Sequence, residues 1–154
     1  MFMKRITVII LCFILICNLA GVTTASAAQL DDQIIVSQVV EYINESDYII
    51  ETIYEPNIQP YSNTKTGTKQ ATYYYSGTAI FSVSVTGTFT YNGSSAQATS
   101  ATKTIVGHVS DATYISSSAY TSGASAIATG SVSYKGFTLQ KTVTLTCDKN
   151  GNLS

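Results

Sequence analysis

Histidine occurs once in this sequence, at His108, and arginine once, at Arg5. A metal centre needs several imidazole, thiolate or clustered carboxylate ligands, and the composition does not supply them. Nucleic-acid binding needs a dense basic face, and no arginine follows Arg5. Cysteine occurs three times, but Cys12 and Cys17 lie in an N-terminal apolar run, which leaves Cys147 alone. One cysteine cannot close an internal disulfide: it is either buried as a small apolar residue, which its place in an alternating apolar run favours, or paired between chains. No glycine-rich phosphate cradle is present, and no cofactor is expected.

What is present begins with an address. Lys4-Arg5 precedes an apolar run from Ile6 to Cys17, and Ala25-Ser26-Ala27 follows. A basic start, a short apolar core and a small-x-small site describe a secretory signal peptide helix, residues 1–27, cut after Ala27. The run is twelve residues long, about 18 Å as a helix at roughly 1.5 Å per residue. A membrane core is about 30 Å thick, so an uncleaved anchor stretched to Val22 across Asn18 is the alternative. Neither leader cysteine follows the small residues of a lipoprotein site, and the C-terminus has no hydrophobic tail. The mature chain, Ala28–Ser154, is expected to be secreted, with no stable membrane insertion after cleavage.

Charge divides that mature chain. Residues 28–63 carry seven acids (Asp31, Asp32, Glu41, Glu45, Asp47, Glu51, Glu55) and no lysine or arginine. Residues 64–154 carry six lysines (Lys65, Lys69, Lys103, Lys135, Lys141, Lys149) against Asp111 and Asp148. The acidic segment either docks on the basic domain or is ordinary solvated surface. It is too apolar for a disordered tail, and its β-branched residues favour strands. Asn44-Glu45-Ser46-Asp47 reads as a turn between Ser37–Ile43 and Tyr48–Glu55. A hairpin is expected, with a short helix as alternative, and then a proline-containing linker around residues 57–66.

The remainder, 64–154, reads as strands. Odd positions of Ala79–Tyr91 are mostly apolar and even positions hydroxylic, which is the period of a half-buried strand. Gly87 suggests a bulge or bend, and Asn92-Gly93 a hairpin turn. Phe137–Cys147 repeats the alternation, with Lys141 interrupting the apolar face as at a rim. Ala124–Tyr134 precedes it through the turn Tyr134-Lys135-Gly136. Gly67–Ser76, Ala98–Val109 and Thr113–Tyr120 complete six strands, and the upstream hairpin makes eight. The expected fold is all-β: an antiparallel β-sandwich, Ig-like or related, of about six to eight strands.

Several stretches then resemble a known group. These are Thr64–Lys69, the run Phe81-Ser82-Val83-Ser84-Val85-Thr86-Gly87-Thr88-Phe89-Thr90-Tyr91-Asn92-Gly93-Ser94, and Lys141–Cys147 with Gly151-Asn152-Leu153-Ser154. Over about Tyr48–Ser154 the chain is similar to small secreted all-β proteins of Gram-positive bacteria known only as a domain of unknown function. The resemblance implies location and fold but no chemistry. It departs at Phe81 and near Tyr114, where that group often carries tryptophan, and at Gln97-Ala98, where it often carries a second cysteine. If that cysteine bridges to the terminal one in the group, Cys147 here has lost its partner.

Catalysis has little to rest on. His108 and Asp111 with one of many serines make a triad by composition alone, and no nucleophile-elbow motif is present. Nothing spaces two carboxylates for glycoside cleavage. Two binding features remain. Tyr73-Tyr74-Tyr75 must alternate between faces, so at least one ring points outward and is a candidate ligand contact; cross-strand packing is the bland alternative. The rows Thr86/Thr88/Thr90 and Thr142/Thr144/Thr146 offer flat hydroxyl arrays, or are simply the solvent faces of strands. The sequence therefore leads to the expectation of a secreted, non-enzymatic binding or cell-surface interaction module whose partner is cell-wall polysaccharide or a surface protein. A structural, self-associating extracellular protein is the alternative, and a hydrolase using His108 a third.

Overall fold

The structure, a computed structural model, describes residues 7–8, 33–57 and 63–154. The expected cleavage site after Ala27 and most of the expected leader lie outside the described residues, as does part of the expected linker, residues 58–62. Among the described residues, nine strands follow in order: β1 (Thr7–Val8), β2 (Gln33–Tyr42), β3 (Asp47–Pro56), β4 (Thr64–Tyr75), β5 (Thr78–Tyr91), β6 (Ala96–Gly107), β7 (Thr113–Ser122), β8 (Ser125–Tyr134) and β9 (Phe137–Thr146). Among the described residues there is no helix. Thr7 and Val8 fall within the expected signal-peptide helix, but they are extended and pair with Glu41 and Val40.

Strands β1 to β6 form one antiparallel sheet in sequence order, and β7-β8-β9 form a second. This is the expected antiparallel sandwich with eight long strands. Each sheet is a meander of sequential neighbours, so the related form holds rather than the Greek key of an immunoglobulin domain. Short turns enforce that order. Ser76-Gly77 and Lys135-Gly136 each hold two successive positive φ angles, 48° and 77°, then 49° and 81°, the mirror-image turn that matches strand twist. At the β2–β3 turn, Asn44 Oδ1 accepts the backbone N–H groups of Ser46 at 2.8 Å and Asp47 at 2.9 Å. The hairpin, not the short helix, is therefore what residues 33–56 form.

Strand β3 pairs with β4 from Asp47↔Tyr75 to Tyr54↔Thr68. The acidic hairpin thus belongs to the same sheet as the basic segment. Strand β4 starts at Thr64, earlier than the expected Gly67. Thr64, Thr66 and Thr68 continue one face, and Lys65 and Lys69 lie on the other, facing carboxylates of β3.

The smaller sheet lies over β4, β5 and β6. Between the layers are Phe81, Val83, Val85 and Phe89 from β5, Ala126, Ala128 and Val132 from β8, and Val143, Leu145 and Cys147 from β9 and its end. Cys147 is 1% exposed and unpaired, which settles its alternatives in favour of burial. Burial pushes its thiol above the ordinary range.

Close approach of the sheets requires residues without side chains. A Cβ on Gly130 would stand 2.7 Å from Ile105 and 2.8 Å from Val83 across the interface, and one on Gly87 would stand 2.7 Å from Ala126. Gly87 is therefore a close-packing position rather than the expected bulge. It pairs regularly with Gly67 and Ala101; the irregularity lies one step on, between Thr88 and Phe89 opposite β6. Leu153 bridges back to Cys147 and packs over Gly67.

Lys141 explains the interruption in the face of β9. It reaches from the edge of the small sheet to Glu51 at 2.8 Å on β3 and Glu41 at 3.8 Å on β2. Lys69 joins Glu51 at 3.4 Å, and Lys65 meets Glu55 at 2.7 Å. The acidic segment docks, and these pairs form the seam. Burial pulls the Glu51 carboxyl upward, but contacts from Lys141 and Lys69 outweigh it and leave Glu51 below its ordinary 4.5. A depressed carboxylate stabilises the fold above its unfolded value, and that contribution disappears as pH falls through the folded value.

Two outcomes are expected. Gly130→Val forces the sheets apart and lowers the unfolding free energy in urea by about 1–3 kcal/mol. Lys141→Met destabilises the fold at neutral pH by about 1 kcal/mol, since the pair is only partly exposed yet still screened by solvent and Lys69 remains beside Glu51. It also flattens the loss of stability below pH 4.5, measured by urea melts across pH.

Candidate functional site

The register assigns every strand residue to a face. On the outer face of the larger sheet, consecutive cross-strand rows read Tyr42–Tyr48–Tyr74, then Val40–Ile50–Thr72–Ser82–Val106, then Gln38–Thr52–Gln70–Ser84–Thr104. The rows continue as Ile35–Tyr54–Thr68–Thr86–Thr102 and Thr66–Thr88–Ser100. Among the described residues, no Asp, Glu, Lys or Arg stands in these rows. Their β-branched hydroxyl side chains have few rotamers and sit on a lattice of about 4.8 Å between strands and about 6.8 Å along them. Neighbouring hydroxyls pair across strands: Thr68 with Thr86 at 2.8 Å, Thr66 with Thr88 at 3.2 Å. Gln38 Nε2 donates to Thr52 Oγ1 at 3.1 Å.

The outer face of the smaller sheet follows the same rule. Ser125 pairs with Thr146 at 2.9 Å, Thr129 with Thr142 at 2.9 Å and Ser116 with Ser131 at 2.8 Å. The two threonine rows singled out in the sequence therefore lie on opposite sides of the sandwich. They do not make one array; each is widened by serines and threonines of neighbouring strands, which single-strand reading missed.

The three consecutive tyrosines separate. Tyr73 faces inward beside Phe81, with ring centroids 5.9 Å apart, and its hydroxyl donates to Asp47 Oδ2 at 3.1 Å. Burial, then the Asp47 carboxylate, push the Tyr73 hydroxyl up to about 12. Tyr74 faces outward and stacks on Tyr48 at 4.8 Å, nearly parallel, with Tyr42 tilted on Tyr48 at 5.8 Å. Tyr75 stands at the rim, where the Lys135 ammonium lies 5.3 Å from its ring and 5.1 Å from that of Tyr134. Of the three, Tyr74 alone shares the outer face with the hydroxyl lattice.

His108 also has a definite partner. Its Nε2 lies 3.1 Å from Ser82 Oγ, while Asp111 accepts from the hydroxyl of Ser110 at 3.2 Å. Ser82 is 2% exposed, so its oxygen is closed to a substrate. The pair satisfies a buried hydroxyl, as such groups require. A shallow notch of about 160 Å³ lies at the β5–β6 hairpin, lined by Thr90, Tyr91, Asn92, Ser95, Ala96 and Gln97. Among the described residues, no three His, Cys, Asp or Glu side chains converge on a metal-sized site.

Comparison with protein-family models, with curated proteins and with solved structures returns no match for this chain.

The raised Tyr73 hydroxyl carries a test. A raised folded value favours the protonated form, so its contribution to stability is complete below 10 and is lost as pH rises toward about 12. Tyr73→Phe is expected to flatten that alkaline limb in urea melts taken across pH.

Proposed function

We propose that the mature chain is a secreted, non-enzymatic module that binds uncharged polysaccharide of the cell wall or surface through the outer face of its larger sheet. The observation that supports this is the absence of charge from the cross-strand rows of that face, among the described residues. An uncharged ligand rich in hydroxyl groups loses its water at lower cost against neutral hydroxyls than against ions. Apart from the buried Thr52 and Ser82, the hydroxyls of this face are held in register by the strands, so little side-chain freedom is lost on contact. Tyr74, Tyr48 and Tyr42 border the lattice and offer ring edges and phenolic groups. Tyr48 is engaged by both Tyr74 and Tyr42, while Tyr42 stays exposed and offers its ring to a sugar as well as its hydroxyl.

The test is sedimentation of the purified mature protein with insoluble neutral polysaccharides, peptidoglycan and teichoic acid. Retention on a neutral polymer, competed by soluble sugar and insensitive to salt, is the expected result. Thr102→Glu places a charge in an exposed row and is expected to weaken retention about tenfold or more without altering the melt. Retention only on anionic teichoic acid, or none at all, overturns the reading.

A further inference from the structure

We infer that β2 is a self-pairing edge, through which two copies of this chain join their larger sheets into one. This stands independently of the polysaccharide reading, because it uses the border of the sheet rather than its face; it rests on removal of residues 1–27, which place Thr7 and Val8 on that border.

The smaller sheet lies over β4 to β6 and leaves β2 outside the sandwich. Nearly every residue of β2 is exposed, although the strand reads Gln-Ile-Ile-Val-Ser-Gln-Val-Val-Glu-Tyr. Ile35 is 61% exposed, and Ile34, Val36, Val39 and Ile43 are exposed beside it. Edge strands of monomers are usually blunted by lysine, proline or inward-pointing charge. Here there is no lysine or proline, and the one acid, Glu41, is already engaged by Lys141. The backbone of this edge accepts an antiparallel strand, since Thr7 and Val8 pair there with Glu41 and Val40. Among the described residues, that pairing covers Val40 and Glu41 alone.

The occupant follows from self-complementarity. An antiparallel pairing of β2 with its copy, about a two-fold axis through Val39, sets Val39 against Val39, Gln38 against Val40 and Ser37 against Glu41. Residues placed opposite then lie on the same face, as a continuous sheet requires. Like charges do not meet, because each Glu41 faces Ser37 of the other copy and keeps its own Lys141. The register uses Ser37–Glu41, which lies beyond the β-bulge at Val36. Pairing would cover Val39 from both copies, and the contact would be isologous and closed, giving a dimer rather than a fibre.

The experiment is sedimentation equilibrium of the chain from Ala28, which contains every long strand of the sandwich. The expected result is a reversible monomer–dimer equilibrium. Val39→Lys sets two like charges across the axis and is expected to weaken the dimer about tenfold or more. Val39→Glu is expected to do the same, and an equimolar mixture of the two variants to recover association as a heterodimer. Circular dichroism melts of each variant confirm that the half-exposed site tolerates the change. A wild-type chain that stays monomeric to about 1 mM, the weak end of measurable pairing, overturns the inference. So does an association that Val39→Lys leaves unchanged, which would place the contact elsewhere, or failure of the mixture to recover it.

Discussion

The two sheets can pack closely only because glycine and alanine line the places where they approach. Gly130 admits Ile105 and Val83, Gly87 admits Ala126 and the ring of Phe89, and Gly67 admits Leu153. With those side chains missing, the large residues Phe81, Phe89 and Leu145 are enclosed almost completely. The rest follows from this constraint. A three-stranded sheet seated over β4, β5 and β6 leaves β2 outside the sandwich, and it decides which polar groups fall between the layers and which face water.

Charge and hydroxyl groups are sorted accordingly. The lysines and glutamates of β2, β3, β4 and β9 lie on inward faces, along the side where the smaller sheet ends. There they are partly screened from water and partnered, which makes them useful for fixing how the hairpin β2–β3 meets the domain. Partly buried pairs of this kind contribute modestly to stability, and a shift of β3 along β4 would carry each glutamate away from its lysine. The outer faces are left to serine, threonine, glutamine and tyrosine, whose hydroxyls pair with each other across strands. The outcome is a molecule whose outer broad faces are neutral over the described rows, with most of its ions at a seam and at turns and Lys103 within β6.

Much of the architecture was legible along the chain. The alternation in Ala79–Tyr91 and Phe137–Cys147 announced strands with one apolar face, and the inward set Ala126, Ala128, Val132 and Tyr134 was visible as a period of two. The turn at Asn44–Asp47 and the burial of Cys147 followed from local chemistry. Less was legible of the candidate site. Thr86 and Thr142 look alike in sequence, yet face opposite ways, since each lies on the outer side of a different sheet. The tyrosine triplet looked like one patch, but alternation sent Tyr73 inward to Asp47 and Tyr74 outward to Tyr48. The hydroxyl lattice spans residues far apart in the chain, such as Thr68, Thr86 and Thr102, and only cross-strand register makes them neighbours.

The sequence by itself determined the strands, their faces and their turns, because period-two alternation, β-branching and positive-φ turn residues act over a few neighbouring residues. It also determined that lysine and glutamate would be segregated along the chain. Which lysine meets which glutamate was decided by the tertiary structure alone. Lys141 finds Glu51 because the edge of one sheet happens to end above the third strand of the other. Gly87, which the chain suggested as a bend, became a contact surface because Ala126 of the facing sheet sits against it. The exposure of β2 has the same origin: its residues are as apolar as a core strand's, and the narrower width of the smaller sheet leaves them outside the sandwich.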